Sequence, residues 1–492
     1  MFRIMSGMIC PLLLIGCAVN PATKRAELML VSEEKEFQIG QQVDKNVREE
    51  MGIYLELPEL RTRVKQLVEK IGRKSDRPDL IYRMEIIDTP DFNAFAVPGG
   101  FLYVHRGLLE RINSLDELAS VMGHEIAHVA ARHSASQISK MQFLNIGLLG
   151  VAIATGGGIQ DYSSLIDIGG VLAFSKFSRD DEREADDFGV RYMTRAGYNP
   201  KTSIDVMTQI QRLHDREPDS LEIWFMTHPP TSERLVSMNK ELGVISARDQ
   251  DILKRVVRRN EYIRLLDGMA VGQWNGKELI KGERYFNKEH FLSIPVPDGW
   301  QVQINNKNYT AVFFNPKKES FLYFDIQPLQ KRKTTRDYFR ELSALLKKKG
   351  LRELPEISKS QPLAYGALAG TYEGQSGKLG VIRAQLIAFT RDGNGHSMIG
   401  IGQKGSFEKL RPLFEGMIND LKFISNQEAS QINPPRMRTH QITAGETWEQ
   451  ITSRYFKSSE GKKRLAEYNG LKVENDPVPG ILLKIPPSLH FL

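Results

Sequence analysis

A His-Glu-x-x-His pattern constrains the fold of this chain most, because it lies in a stretch with strong helical signals. Ser114 and Glu117 have the spacing of a capping box at the start of this stretch, and apolar residues then recur at helical spacing. On such a helix His124 and His128 project from one face and can bind one tetrahedral Zn²⁺, with Glu125 placed to take a proton from a water. The pattern therefore predicts a site for one zinc ion per chain.

A third ligand has to come from elsewhere, because a catalytic zinc is held by three protein side chains. A histidine six residues after His128 is excluded, since that position is Ser134. A second helical stretch carries Glu182 and Asp186 four residues apart, so one carboxylate can bind the metal while the other supports a histidine. Glu184 is an alternative third ligand on chemistry alone. The alternative to a metal site is a pair of surface histidines on a core helix.

Four motifs together resemble the HtpX and CAAX-prenyl-endopeptidase-1 family of zinc metallopeptidases. Besides the two helical motifs, residues 93–100 read Asn-Ala-Phe-Ala-Val-Pro-Gly-Gly and residues 228–229 read His-Pro. The resemblance covers about residues 30–245 and implies a mainly helical zincin domain with a small β-hairpin or sheet. It implies that His124, His128 and Glu182 bind zinc, that Glu125 is the general base, and that Asp186 supports the ligands.

His228 is the residue whose role the sequence leaves open. The resemblance places it over the cleft, where it can donate a hydrogen bond to the oxyanion of a tetrahedral intermediate. It can also occupy the open position of the zinc as an inhibitory fourth ligand. A third interpretation is a loop histidine with a satisfied hydrogen bond. We therefore include His228 among the catalytic candidates without assigning the direction of its effect.

Two stretches near these motifs bear on how a substrate reaches the site. Ala94–Val97 is predicted as an edge strand that pairs with the backbone of an extended substrate, with a plain structural hairpin as the alternative. Met141–Gln160 has no charged residue and is long enough to cross a bilayer. Its glycines and amides favour a helical hairpin near the cleft instead.

The N-terminal residues have the features of a signal peptide, with one basic residue, a short apolar run and small residues before a cysteine. The Leu-Ile-Gly-Cys ending resembles the bacterial lipobox, which implies removal of residues 1–16 and lipidation of Cys17. Ala18 is similar to the outer-membrane sorting type, so we expect an outer-membrane lipoprotein facing the periplasm, tethered through residues 17–30. An ordinary secretory signal with an incidental cysteine is the alternative.

The predicted fold class is a multi-domain α+β protein, since 492 residues that are 41% hydrophobic can bury several cores. The metallopeptidase domain is assigned to residues 31–250, followed by a connecting segment at 251–284. Residues 285–424 alternate strands and helices and predict a mixed α+β domain of unknown role. The polar residues 425–438 are interpreted as a linker.

Residues 439–487 resemble a LysM domain with the order strand, helix, helix, strand. The resemblance rests on the Tyr-Asn-Gly-Leu turn at residues 468–471 and on the closing Leu-x-Ile-Pro strand. That family binds polymers containing N-acetylglucosamine, which implies peptidoglycan as a partner at the turns Ala444–Thr447 and Asn469–Gly470. The segment departs from the family pattern at two positions, so a module that only folds or contacts another domain is the alternative.

Together these features predict a lipid-anchored zinc endopeptidase of the bacterial cell envelope. The resemblance implies misfolded or stalled envelope and outer-membrane proteins as substrates. One alternative is a wall-tethered chaperone or scaffold with a latent zinc site, and another is a peptidase of peptidoglycan cross-links. The formal charge of +7 comes without a nucleic-acid motif, and export argues against a nucleic-acid partner.

Overall fold

The computed structural model describes residues 17–154, 176–216, 224, 227–228, 232–272, 274, 277–306, 309–329, 333–354, 363–458 and 461–489. The chain divides into two compact units. Unit 1 comprises Met1–Val271 together with Arg436–Leu492, and unit 2 comprises Gly272–Pro435. Both units contain helices and sheets, which confirms the predicted α+β, multi-domain class.

The first part of unit 1 is mainly helical, with two small sheets. Its elements are β1 (Cys17–Val19), β2 (Ala26–Leu28), α1 (Glu33–Glu50), α2 (Pro58–Gly72), β3 (Arg83–Ile87), β4 (Ala94–Val97), β5 (Phe101–His105), α3 (Arg106–Arg111), α4 (Leu115–Ala130), α5 (His133–Ala154), α6 (Arg179–Arg195), α7 (Thr202–Arg216), α8 (Ser232–Arg248) and α9 (Arg259–Leu265). The strand predicted at Ala94–Val97 is confirmed. The uncharged stretch Met141–Gln160 begins inside α5, and its residues 155–160 lie outside the described residues.

Helix α4 forms the centre of unit 1, because all its residues except Ser120 are buried. The Ser114 side chain accepts a hydrogen bond from Glu117 N at 3.0 Å, as the capping box predicts. The Glu117 side chain reaches one residue further back than expected and accepts from Asn113 N at 2.7 Å. These bonds satisfy backbone donors at a helix end that is itself buried, and they fix where α4 begins.

Helix α6 packs against α4 with its backbone in direct contact. A Cβ atom at Gly123 would lie 2.9 Å from Gly189 O, and one at Gly189 would lie 2.8 Å from His124 N. Only glycine permits such an approach at both positions. The two helices that carry the predicted metal ligands therefore pack backbone against backbone at these glycines.

Strands β3, β5 and β4 form a three-stranded sheet in that order, with β4 at one edge. Strand β4 is antiparallel to β5, and Ala96 lies opposite Leu102. The turn between them contains Gly99 and Gly100, which both have positive φ angles. The predicted hairpin thus places an edge strand next to α4, which it contacts.

Unit 2 is built from two antiparallel sheets and three α-helices among its described residues. One sheet has the strand order β12-β13-β14-β15-β11-β10-β9 and the other the order β16-β8-β7-β6. Their bounds, with the helices, are β6 (Glu278–Lys281), β7 (Arg284–Asn287), β8 (Leu292–Pro295), β9 (Gln301–Asn306), β10 (Tyr309–Phe314), β11 (Phe321–Pro328), α10 (Thr335–Lys348), β12 (Arg352–Glu353), β13 (Leu368–Ser376), β14 (Gly380–Arg391), β15 (Asn394–Gln403), α11 (Phe407–Asn419), β16 (Lys422–Phe423) and α12 (Asn426–Gln431). Helix α12 lies inside the stretch that the sequence favoured as a linker.

Residues 436–489, the C-terminal module, return to unit 1. They form β17 (Arg438–Gln441), α13 (Trp448–Phe456), α14 (Lys462–Tyr468) and β18 (Leu482–Ile485), with the two strands antiparallel. The chain leaves and re-enters unit 1 at adjacent points, since Ala270 pairs with Arg436 and Met437 N donates to Met269 O at 2.8 Å. In the described part of the chain, no helix has the length and apolar character needed to cross a membrane.

Candidate metal centre

Four side chains from three parts of the sequence meet in the interior of unit 1. His124 and His128 come from adjacent turns of α4, and Glu182 comes from the first turn of α6. His228 precedes α8, and all four residues are buried. Each of them offers one nitrogen or oxygen atom, and these atoms lie within 4.8 Å of one another.

The spacing of these atoms fits a small tetrahedral metal ion. His124 Nε2 and His128 Nε2 are 3.0 Å apart, and the Glu182 oxygens lie 3.4 Å from His128 Nε2 and 3.6 Å from His124 Nε2. Ligand atoms about 2.0–2.2 Å from a tetrahedral centre are separated by roughly 3.3 Å. Two imidazole nitrogens and a carboxylate oxygen are also ligands that suit zinc.

Charge in the cluster also favours a divalent cation. Among the described residues it contains the buried carboxylates of Glu125, Glu182 and Asp186 and the buried guanidinium of Arg234. With neutral histidines these groups leave an excess of two negative charges, which a buried site has to balance. Burial lowers the pKa of His124, but hydrogen bonds to Asp186 and Glu182 outweigh burial and raise it to about 10. The carboxylates thus attract positive charge to the position where the ligand atoms meet.

The two other ligand candidates have the protonation states that metal binding needs. Burial lowers the pKa of His128 well below its ordinary value, so this imidazole is neutral and has a free lone pair. Burial on its own would raise the pKa of Glu182. The surrounding His228, His124 and His128 outweigh it and hold that pKa well below its ordinary value, so Glu182 is ionised.

Asp186 and Arg234 form the support behind the ligands. Asp186 Oδ1 lies 2.9 Å from His124 Nδ1, the ring nitrogen that faces away from the cluster. Arg234 donates two hydrogen bonds to Asp186, at 2.7 and 2.8 Å, and its third nitrogen lies 3.0 Å from Glu182 Oε2. A carboxylate bonded to the second nitrogen of a ligand histidine fixes the ring orientation. Sequence reasoning missed Arg234, although it lies only six residues after His228.

His133 supports His128 in the way that Asp186 supports His124. Sequence reasoning also missed His133. His133 Nδ1 lies 2.8 Å from His128 Nδ1, and both rings are buried. Its Nε2 atom lies 3.5 Å from Glu184 Oε2, and Glu184 also accepts a hydrogen bond from Arg25 at 3.0 Å. The structure therefore places the alternative ligand Glu184 outside the cluster, on the far side of His133.

Glu125 occupies the position between the cluster and the edge strand. It is buried, and its pKa is raised because burial outweighs the opposing effects of His228, His124 and the hydrogen bond from the backbone of Ala96 on β4. Within the described structure, Glu125 Oε1 has no hydrogen-bond partner. It lies 3.5 Å from His228 Nε2. A raised pKa and an oxygen with free hydrogen-bonding capacity are properties of a proton acceptor.

The fold and the buried site define a metallopeptidase domain. Residues 57–242 match the model of Peptidase family M48. That agrees with the metallopeptidase class predicted from the sequence. Among the six predicted site residues inside the domain, the structure brings His124, His128, Glu182 and His228 together and puts Glu125 and Asp186 next to them. Cys17, the predicted lipidation site, begins β1.

Three relatives of this chain are named as proteases or endopeptidases. Mitochondrial metalloendopeptidase OMA1 of Schizosaccharomyces pombe is 29% identical over 220 residues, which is 44% of this chain and 63% of the relative. The Beta-barrel assembly-enhancing protease of Escherichia coli K12 is 28% identical over 202 residues, 39% of each chain. Metalloprotease YcaL of the same organism is 29% identical over 174 residues, 35% of this chain and 66% of the relative. Each of these matches thus covers less than half of this chain and less than two thirds of the relative.

Proposed function

We propose that this protein is a zinc endopeptidase of the bacterial cell envelope that degrades misfolded or stalled envelope proteins, including outer-membrane proteins in assembly. The observation that carries the proposal is the buried group of two histidines and a glutamate, with a second glutamate beside it. The name of the Beta-barrel assembly-enhancing protease supports the substrate class. The lipobox-like sequence before Cys17 supports the location.

Each residue of the site has a task in this proposal. His124, His128 and Glu182 hold Zn²⁺, which when bound lowers the pKa of a water and polarises a carbonyl oxygen. Glu125 accepts a proton from the attacking water and passes it to the nitrogen of the leaving amine. Asp186 keeps the His124 ring in its binding orientation, because its oxygen lies 2.9 Å from the other ring nitrogen.

The substrate is bound as an extended chain along β4. This strand lies at a sheet edge, and its residue Ala96 hydrogen-bonds Glu125 through the backbone. An edge strand recognises backbone N–H and C=O groups, so it selects for extended conformation more than for sequence. Unfolded segments meet that requirement and folded domains do not, which suits a role in quality control.

The proposed location is the periplasmic face of the outer membrane, with Cys17 lipidated. Peptidoglycan is the proposed partner of the C-terminal module. Ala444 and Gly445, in the first predicted glycan-binding turn, are exposed, whereas the Asn469 side chain of the second turn is buried. The proposal therefore assigns glycan binding to the first turn.

The proposed function predicts that cleavage depends on zinc and on an unfolded substrate. We expect the purified full chain to cleave an unfolded outer-membrane β-barrel protein and to spare the same protein in its native barrel. A chelator should abolish cleavage, because the water loses its activation, and stoichiometric zinc should restore it. Gel electrophoresis of timed samples measures cleavage, and zinc content is measured by atomic absorption.

Three outcomes would contradict this function. Cleavage that persists after the zinc content has fallen to zero would rule out a metallopeptidase mechanism. A zinc-loaded protein that prevents aggregation of the barrel protein without cutting it would favour the chaperone alternative. Release of cross-linking peptides from peptidoglycan, with no cleavage of protein, would favour the cell-wall peptidase alternative.

His228→Ala is expected to increase cleavage of the unfolded substrate. His228 Nδ1 lies 3.0 Å from Glu182 Oε1 and 3.3 Å from His124 Nε2, so it sits among the ligand atoms where a fourth ligand would bind. A gain of about tenfold would correspond to a site that is closed in roughly nine of ten molecules. The half-exposed His214 provides the control variant His214→Ala. A loss of activity in His228→Ala with zinc retained would instead assign His228 to the oxyanion.

A further inference from the structure

A lysine of the C-terminal module reaches into the core of the peptidase domain. Lys484, on β18, is completely buried. Its Nζ atom donates hydrogen bonds to Glu110 O at 2.7 Å, to Arg111 O at 3.0 Å and to Ile112 O at 2.8 Å. Three acceptors use all three donors of an ammonium group. Lys484 is therefore fully engaged by one short stretch of backbone at the end of α3.

Those acceptors are groups that a helix end leaves unsatisfied. The last carbonyls of a helix have no partner within it and carry its partial negative charge, so a cation placed there is stabilising. Burial, together with the nearby Arg259 guanidinium, lowers the pKa of Lys484 well below its ordinary value, and the Glu117 carboxylate opposes that effect only in part. The three carbonyls also favour the ammonium form. Lys484 thus supplies α3 with a C-terminal cap from a distant part of the sequence.

The capped segment leads directly into α4, which carries two of the proposed zinc ligands. Helix α3 ends at Arg111, and the cap residue of α4 is Ser114. Between them, Asn113 N donates to the Glu117 side chain inside the first turn of α4. A shift of the α3 end would therefore move the start of α4, and a helix transmits such a shift along its axis to His124.

Further contacts hold the module in this position. Tyr468 donates a hydrogen bond to Glu110 Oε1 at 3.2 Å. Asn469 Oδ1 accepts from Lys484 N at 2.7 Å and from Arg259 at 3.2 Å, which links β18 to α9. A Cβ atom at Gly470 would lie 3.0 Å from the Asn113 side chain. The Tyr-Asn-Gly turn therefore packs on the α3–α4 connection.

We infer that the C-terminal module positions the peptidase active site, with Lys484 as the positioning residue that fixes the start of helix α4. The expected change in kcat rests on the proposed function. The expected change in amide hydrogen exchange rests on the hydrogen bonds alone. In this arrangement the module is a fixed part of the peptidase, and any glycan bound at its exposed turn is held at a set distance from the site.

The test compares Lys484→Met, which keeps the length of the side chain and removes its donors, with Lys472→Met at an exposed lysine of the same module. In Lys484→Met we expect amide hydrogen exchange at residues 113–119 to accelerate by about tenfold or more. We expect kcat to fall by about tenfold with KM changed less than about twofold, because alignment is lost while the substrate strand is untouched. Lys472→Met should match the wild type in all three measurements.

The inference would be overturned by a folded Lys484→Met protein with wild-type exchange at residues 113–119 and wild-type kcat. If this variant does not fold, native-state exchange of the wild type in denaturant decides instead. Residues 113–119 and β18 should then open together. Opening of β18 at a denaturant concentration that leaves residues 113–119 protected would contradict the inference.

The exchange measurements need no catalytic activity, so the two proposals can fail separately. A zinc-loaded protein with coupled exchange but no cleavage would contradict the proposed function alone. Cleavage by a protein whose module opens independently would contradict the positioning role alone.

Discussion

Glu125→Gln is expected to lower peptide-bond hydrolysis by about 10²- to 10⁴-fold, the range for loss of a positioned general acid–base group. Glutamine has nearly the same shape as glutamate but cannot accept the proton of the attacking water. Burial raises the pKa of Glu125, which makes its carboxylate a stronger base than an exposed one. Because Glu125 is not one of the four grouped ligand candidates, the zinc content should stay at one ion per chain.

The measurement is cleavage of a fluorogenic unfolded polypeptide by the full chain, with the zinc content determined on the same samples. Glu49→Gln is the matched control, because Glu49 is an exposed glutamate of α1. That variant should retain wild-type activity and zinc. Wild-type rates in a zinc-loaded Glu125→Gln protein would exclude Glu125 as the general base, and loss of zinc would show that it also binds the metal.

Glu182→Gln is expected to weaken zinc binding strongly, because Glu182 is itself a proposed ligand. Loss of a residue that only hydrogen-bonds a ligand weakens metal binding by roughly 10- to 100-fold, and the effect here should be larger. The substitution removes the negative charge of a carboxylate whose Oε1 lies 3.4 Å from His128 Nε2 and whose Oε2 lies 3.6 Å from His124 Nε2. It also leaves the buried Arg234 with one carboxylate partner fewer. Hydrolysis should fall with zinc occupancy and recover in part at high zinc concentration.

Glu184→Gln is the internal control for that experiment, because it lies two residues away on the same helix. Its carboxylate faces Arg25 and His133, outside the ligand group. Competition with a chromogenic chelator gives the zinc dissociation constant of each variant. Equal weakening in both variants would mean that general destabilisation of α6 caused the loss. Weakening confined to Glu184→Gln would move the third ligand to that residue.

The sequence predicted the parts of the site that local rules determine. His124, His128 and Glu125 follow from a helical repeat, and the Ser114 cap marks the start of α4. The shared helical face of Glu182 and Asp186 also follows from their spacing. The comparisons support the class of domain to which these residues belong.

Contacts between distant parts of the chain could not be predicted, because periodicity describes only one element at a time. His133 reaches His128 because Arg132 adopts a positive φ of 56°, which turns the chain between α4 and α5. Arg234 reaches Asp186 from 48 residues away. The capping of α3 by Lys484 joins elements more than 370 residues apart. No local signal distinguishes such a lysine from the basic surface residues around it.

The chain leaves unit 1 next to Ala270 and returns to it at Arg436, and this arrangement affects the order in which the parts of unit 1 fold. The three hydrogen bonds of Lys484 close loops of 372 to 374 residues, and such non-local contacts form late and slowly. During vectorial synthesis, residues 57–242 emerge long before β18 does. A chain halted inside unit 2 therefore carries every proposed zinc ligand but not the lysine that caps α3, so full activity is tied to completion of the chain.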